Sequence, residues 1–185
     1  MGDCVWDVGA NIGYYTRSFS EKIASNGTVF AFEPSPVNFS ELSKECVKLR
    51  NVQLLNYGLG IVDCKLSFKQ GSDHLGATSR IVDTQSTNTV LVDIRSGVNL
   101  VAKKEIMPPQ AVKIDVEGFE LEVLQGMGEL LAMSKLRVIG IEVHFSILKS
   151  RGMSDAPRQI ECLLEKYGFI VRWLDSSHIL ATRNS

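Results

Sequence analysis

Asp7-Val8-Gly9-Ala10-Asn11-Ile12-Gly13 is the stretch that decides the fold class. An apolar run from Cys4 to Val8 enters it, and a segment of helical periodicity, about Tyr14 to Ala24, leaves it. A buried strand that turns through glycines into a helix is the opening of an α/β unit. Gly9 has no side chain, so the backbone can turn there and approach a ligand closely. Gly13 lets the following helix pack near the strand. In open α/β sheets ligands bind beyond the carboxyl ends of the strands, near the topological switch point, which puts residues 9–13 in the pocket.

Outward from this loop the pattern repeats. The first helix is predicted to bury Ile12, Tyr15, Phe19 and Ile23, with Asn26-Gly27 as its stop. Thr28 to Phe32 reads as a second strand. Ser35 suits an N-cap and Pro36 the first helical position of a second helix burying Phe39, Leu42, Cys46 and Leu49. Val52 to Tyr57 reads as a third strand. Residues 58–111 are less regular: strands at 65–69 and 89–94, a loop at Ser72 to Ser79, and a segment expected to cover the active site. A strand at 111–116, a helix at 120–133 and a strand at 137–143 follow. A helix at 154–167 stops at Gly168, and 170–174 with 178–182 form a hairpin-like pair. The expected fold is α/β and Rossmann-like, with a mostly parallel sheet and helices on both faces, as one domain over 1–185. The apolar run starts by Cys4, so the helix that normally precedes the first strand is expected to be absent.

Composition narrows the function classes. The chain has 185 residues, 44% of them hydrophobic, enough for a substantial core. Its net charge of -1 argues against a nucleic-acid footprint, which needs a basic patch or stripe. No apolar run is long enough to span a membrane and no signal-peptide pattern opens the chain, so a cytoplasmic protein is expected. Cys4, Cys46, Cys64 and Cys162 show no CxxC spacing, and no metal-ligand set is assigned from spacing.

The loop chemistry separates two cofactors. A dinucleotide site uses G-x-G-x-x-G to seat a pyrophosphate on the helix N-terminus. Here Asn11 takes the second glycine's place and the acidic Asp7 precedes the loop. A carboxylate disfavours an anion and favours the ammonium and sulfonium of S-adenosylmethionine. Glu33, at the end of the second strand, is placed to accept hydrogen bonds from ribose hydroxyls, a device common to both cofactors. NAD-dependent oxidoreduction is therefore the competing reading.

A second landmark makes a family resemblance specific. Val112-Lys113-Ile114-Asp115-Val116-Glu117-Gly118-Phe119-Glu120 resembles the K-I-D-V-E-G-F-E block of the FkbM methyltransferases. Asp7 to Thr16 matches that family's D-V-G-A-N-x-G-x-x-T, Phe32-Glu33-Pro34 its F-E-P, and Glu142 with His144 its E-x-H. These signals fall in the family's order over residues 4 to about 145. The resemblance implies a class I methyltransferase fold with seven strands, the last antiparallel. It implies transfer of a methyl from S-adenosylmethionine to a hydroxyl of a small molecule, sugar or secondary metabolite. By position, Asp7, Gly9, Ala10, Asn11, Gly13, Glu33, Pro34 and Asp115 are the implied cofactor contacts, Asp115 at the methyl-transfer end. The chain departs from the family at Gly97-Val98-Asn99-Leu100, where members tend to carry acids.

Methyl transfer to an alcohol oxygen needs positioning and a base. His144 is the first candidate by its ordinary pKa, and Glu117 the second. Glu142 is expected to pair with His144. Asp115 with Glu142 also has the placement of metal-holding carboxylates in catechol-type methyltransferases, and the same two acids are explained without a metal. Lys113 is expected to meet substrate or a carboxylate, while His74 and His178 are given no role. The expected partner is a small-molecule or glycan hydroxyl acceptor rather than nucleic acid or membrane, with a homodimer as the candidate assembly. A non-catalytic relative that keeps the fold is the third reading.

Overall fold

The computed structural model describes residues 2–23, 26–69, 80, 81 and 89–183. Strand β1 (Cys4–Val8) runs into α1 (Tyr14–Lys22), and β2 (Thr28–Phe32) into α2 (Pro36–Cys46). Then come β3 (Val52–Leu55), β4 (Gly58–Leu59), β5 (Cys64–Lys69), β6 (Arg80–Ile81), β7 (Thr89–Arg95) and α3 (Gly97–Ala102). The second half holds β8 (Ala111–Ile114), α4 (Glu120–Met127), β9 (Val138–Glu142), α5 (Phe145–Ser150), α6 (Ala156–Lys166), β10 (Ile170–Trp173) and β11 (His178–Thr182).

Seven strands form the main sheet in the order β10-β11-β9-β8-β1-β2-β3. β3, β2, β1, β8 and β9 are parallel, while β11 runs antiparallel to both β9 and β10. The chain leaves β1 toward β2 on one side and returns to β8 on the other, so the switch point lies between β1 and β8. Every residue of β1 is buried, as a central parallel strand requires. The main core lies on the α4 and α6 side, where Trp6, Phe30, Ile114, Leu124, Ile139 and Ile160 pack together. On the opposite face a smaller cluster of Ala10, Ala31, Leu42 and Cys46 seats α2.

Ser35 caps α2 as expected, accepting from the Asn38 N–H at 3.4 Å, with Pro36 in the first turn. Other expectations change. α1 buries Thr16 and Ser20 rather than the predicted apolar stripe, and Tyr15 stays 46% exposed. The helix predicted over 120–133 stops at Met127, because Gly128 takes φ 49°, and a 3-10 turn spans Gly128–Ala132. The described part of 58–111 is a second sheet, ordered β4-β7-β5-β6, together with α3. It docks beside α4: the Ser96 hydroxyl donates to the Gly126 carbonyl at 3.1 Å. The predicted loop at 72–79 and His74 lie outside the described residues. The Gly97 to Leu100 stretch forms the start of α3, and Gly97 packs on Trp6. Among the described residues no helix is long and apolar enough to cross a membrane.

Candidate active site

The site is built where β1, β2, β8 and β9 end. Gly9 and Ala10 both donate to the Phe32 carbonyl at 3.0 Å, so the loop after β1 folds over the end of β2. Gly9 has φ 80°, and a Cβ there would stand 1.8 Å from the Asp115 carbonyl oxygen. Only glycine permits that approach, and it brings the loops after β1 and β8 into contact. Gly13, at φ 93°, packs against Leu42 and Cys46 of α2, so the close approach it permits is to a helix and not to the strand.

Glu33 is buried under the loop. Its carboxylate accepts from the Asn11 N–H and from the Ser35 N–H, each at 2.8 Å. Each oxygen keeps lone-pair capacity for a hydroxyl. Burial pushes this carboxyl up to about 7, against the pull of the two backbone N–H groups and Lys113. Pro34 follows, and Asn56 donates to the Glu33 carbonyl at 2.9 Å, fixing the backbone that carries the acid. Asp7 is fully buried; it accepts from the Thr16 hydroxyl at 2.6 Å.

Lys113 ties these parts together. Its Nζ donates to the Gly9 carbonyl at 2.9 Å and lies 3.4 Å from Asp7 and 3.2 Å from Asp115. Burial works against its charge, but Asp7 and Asp115 outweigh it and raise the pKa above the ordinary lysine value. Its ammonium also stands over the Tyr15 ring at 5.2 Å. Of the two readings left open for Lys113, the carboxylate partner is the one the geometry displays.

At the other end stand Asp115, Glu117 and His144. Glu117 sits at φ 54° in the turn after β8. His144 immediately precedes α5, with Nε2 3.5 Å from Glu117 and 3.7 Å from Asp115, and Nδ1 2.8 Å from the fully buried Glu120. Burial works against an imidazolium, yet the Glu120 hydrogen bond and the charges of Glu117, Glu120 and Asp115 raise His144 to about 9. His144 thus carries a proton at neutral pH, which disfavours the expected role of ready base. Burial raises the Glu117 carboxyl, opposed by His144 and aided by its acidic neighbours.

Glu142 faces His178 at 3.5 Å, not His144: Glu142 and His178 are opposite each other across β9 and β11, while His144 lies past the strand, just before α5. His178 also meets Asp175 at 2.9 Å. Glu120, the partner of His144, is missed by the sequence reading; the signal that could have found it is its place at the end of the Lys113 to Glu120 block, where it opens a helix with a buried face. A cleft of about 300 Å³ opens beside these groups, bordered by Tyr15, Phe19, Lys113, Asp115, Glu142 and His178.

Strand order, the glycine loop, the buried acid at the end of β2 and the Asp115 turn define a class I methyltransferase fold. The Methyltransferase FkbM domain model matches residues 7–174, and the chain belongs to that family, whose members use S-adenosylmethionine. The hexuronic acid methyltransferase AglP of Haloferax volcanii is 35% identical over 146 residues, covering 78% of this chain and 57% of that protein. The chain thus spans a little over half the length of the curated relatives it matches. Among solved structures, a putative rRNA methylase from Clostridium thermocellum aligns with TM-score 0.60 at 14% identity, over 99% of this chain and 88% of the other. Fibrillarin from Aeropyrum pernix, with bound S-adenosyl-L-methionine, aligns with TM-score 0.57 at 13% identity, over 97% and 65%. At these identities the structural likeness speaks for the fold.

Proposed function

We propose that this protein transfers the methyl group of S-adenosylmethionine to a hydroxyl oxygen of a small, sugar-type acceptor. The observation that carries the reading is the contact of Gly9 with Asp115 at the switch point, which sets the cofactor loop against the acidic turn after β8. The Asp7, Gly9, Ala10, Asn11, Gly13 loop, with Glu33 and Pro34, holds the cofactor, its ribose at the Glu33 carboxylate. The acceptor oxygen attacks the methyl carbon in line. The C–O bond forms as the C–S bond breaks, the electron pair goes to sulfur, and S-adenosylhomocysteine leaves. The hydroxyl proton passes to Glu117, with the charged His144 as its partner 3.5 Å away.

The printed name of the Haloferax relative supports a sugar as acceptor. The acids at this end, Asp115, Glu117, Glu142 and Asp175, disfavour a polyanion such as nucleic acid. Buried Asp7 beneath the loop disfavours the pyrophosphate of NAD in the same way. A homodimer is the candidate assembly, which light scattering tests. Incubation with tritium-labelled S-adenosylmethionine and a panel of hexoses and hexuronic acids tests the activity. Label is expected in a sugar product; tight NADH binding without S-adenosylmethionine binding overturns the reading.

A further inference from the structure

Three side chains converge between the ends of β8 and β9. Asp115 and Glu117 come from one turn and His144 from the other, and one ligand atom of each lies within 4.8 Å of the others. His144 Nε2 stands 3.5 Å from Glu117 and 3.7 Å from Asp115. These separations are long for an N–H···O hydrogen bond, which centres on about 2.9 Å. They suit two atoms that share one ion: ligands about 2.1 Å from a cation, at a tetrahedral angle, stand about 3.4 Å apart.

Two independent features bear on the same point. The other imidazole nitrogen is already engaged, since Nδ1 lies 2.8 Å from Oε1 of Glu120. A carboxylate on Nδ1 holds the ring in place, so that an ion displacing the Nε2 proton meets a lone pair already turned toward it. The charges also do not balance. Asp7, Asp115, Glu117 and Glu120 face Lys113 and His144. Lys113 sits on Oδ2 of Asp115, leaving Oδ1 to the side of His144. Four carboxylates against two cationic side chains leave negative charge that a bound cation would offset.

We propose that Asp115, Glu117 and His144 bind a divalent cation, with Glu120 as the positioning residue for His144. Two carboxylates and an imidazole suit Mn2+ or Zn2+ better than Ca2+, which takes roughly six to eight oxygens. Three protein ligands leave open positions where an acceptor hydroxyl can bind and become more acidic. Glu117 keeps its second oxygen for the released proton. The ion's part in methyl transfer rests on the function proposed above; its binding does not.

The test is calorimetry and electron paramagnetic resonance as Mn2+ is titrated into the chelator-stripped chain, with Zn2+ in parallel. One ion per chain is expected. Asp115→Asn and His144→Gln should each weaken it at least tenfold, and Glu120→Gln about tenfold. Circular dichroism checks the fold, and Asp115→Asn, on a partly exposed turn, carries the test if a helix-start variant unfolds. No binding of either ion at millimolar concentration, or equal affinity in wild type and Asp115→Asn, overturns the proposal. S-adenosylmethionine binding is measured on the same samples. Cofactor binding without ion binding sinks the cation site and leaves the methyltransferase reading; ion binding without cofactor binding does the reverse.

Discussion

His144 Nδ1 lies 2.8 Å from Oε1 of Glu120, and Glu120 is fully buried at the first position of α4. The same oxygen accepts from the Gly118 N–H at 2.8 Å, so one carboxylate fixes both the turn after β8 and the ring beyond β9. Replacing one partner of a buried charge pair leaves the other without compensation. Glu120→Ala is therefore expected to lower the unfolding free energy by about 3 kcal/mol in urea titrations. Glu120→Gln, which keeps an acceptor for both donors, should lose less. A cost under about 1 kcal/mol for the alanine variant contradicts the structural weight given to this pair.

Gly9→Ala tests the contact between the two loops. The new Cβ would stand 1.8 Å from the Asp115 carbonyl oxygen, at φ 80°. Left-handed backbone costs an L side chain about 1–2 kcal/mol, and overpacking about as much again. The loops must part, so S-adenosylmethionine affinity should fall at least tenfold in calorimetry while the melting temperature drops. Gly140→Ala is the control, because a Cβ there meets nothing within 4 Å. Equal behaviour of the two variants would count against the close contact.

Glu33 gives a pH dependence with a definite sign. Its carboxyl stands near 7 in the folded chain against an ordinary 4.5. Between those values the native state holds a proton that the unfolded state has lost. Stability therefore falls as pH rises from about 4.5 to about 7, by up to about 3 kcal/mol. Cofactor binding runs the other way, since the ionised carboxylate is the better acceptor for ribose hydroxyls. Affinity should tighten about tenfold between pH 6 and pH 8. Glu33→Gln should bind more weakly at pH 8 and show a flat profile; an unchanged slope in that variant removes Glu33 from the site.

Much of this was legible in the sequence, and the gaps have physical causes. The alternation of strands and helices follows from βα repetition, and the loop after β1 and the position of Glu33 are readable because turn chemistry and strand ends are local signals. Partners across the sheet are not local. Glu142 ends β9, whereas His144 lies beyond it at the N-cap of α5, where the backbone has left its extended course, so the two meet different partners, His178 and Glu120. The predicted stripe on α1 failed because that helix does not bury its aromatic side: Tyr15 and Phe19 border the open cleft, while small polar Thr16 and Ser20 meet the sheet and loop. The turn at Gly128 depends on a left-handed φ that no helical periodicity reveals.

Lys113 allows a final test of how the loop after β1 is held. Its ammonium donates to the Gly9 carbonyl at 2.9 Å and stands within 3.4 Å of Asp7, whose side chain is entirely buried. Lys113→Met keeps most of the side-chain volume but leaves Asp7 with the Thr16 hydroxyl as its only hydrogen-bond donor among the described residues. An uncompensated carboxylate at that depth should cost about 3 kcal/mol in urea unfolding. Asp7→Asn should relieve it, so the double variant is expected to be more stable than Lys113→Met alone. The Gly9 carbonyl loses its donor in both, and S-adenosylmethionine affinity should stay reduced in both. Recovery of stability without recovery of binding separates the two tasks of Lys113, charge balance for Asp7 and anchoring of the loop; recovery of both would assign it to charge balance alone.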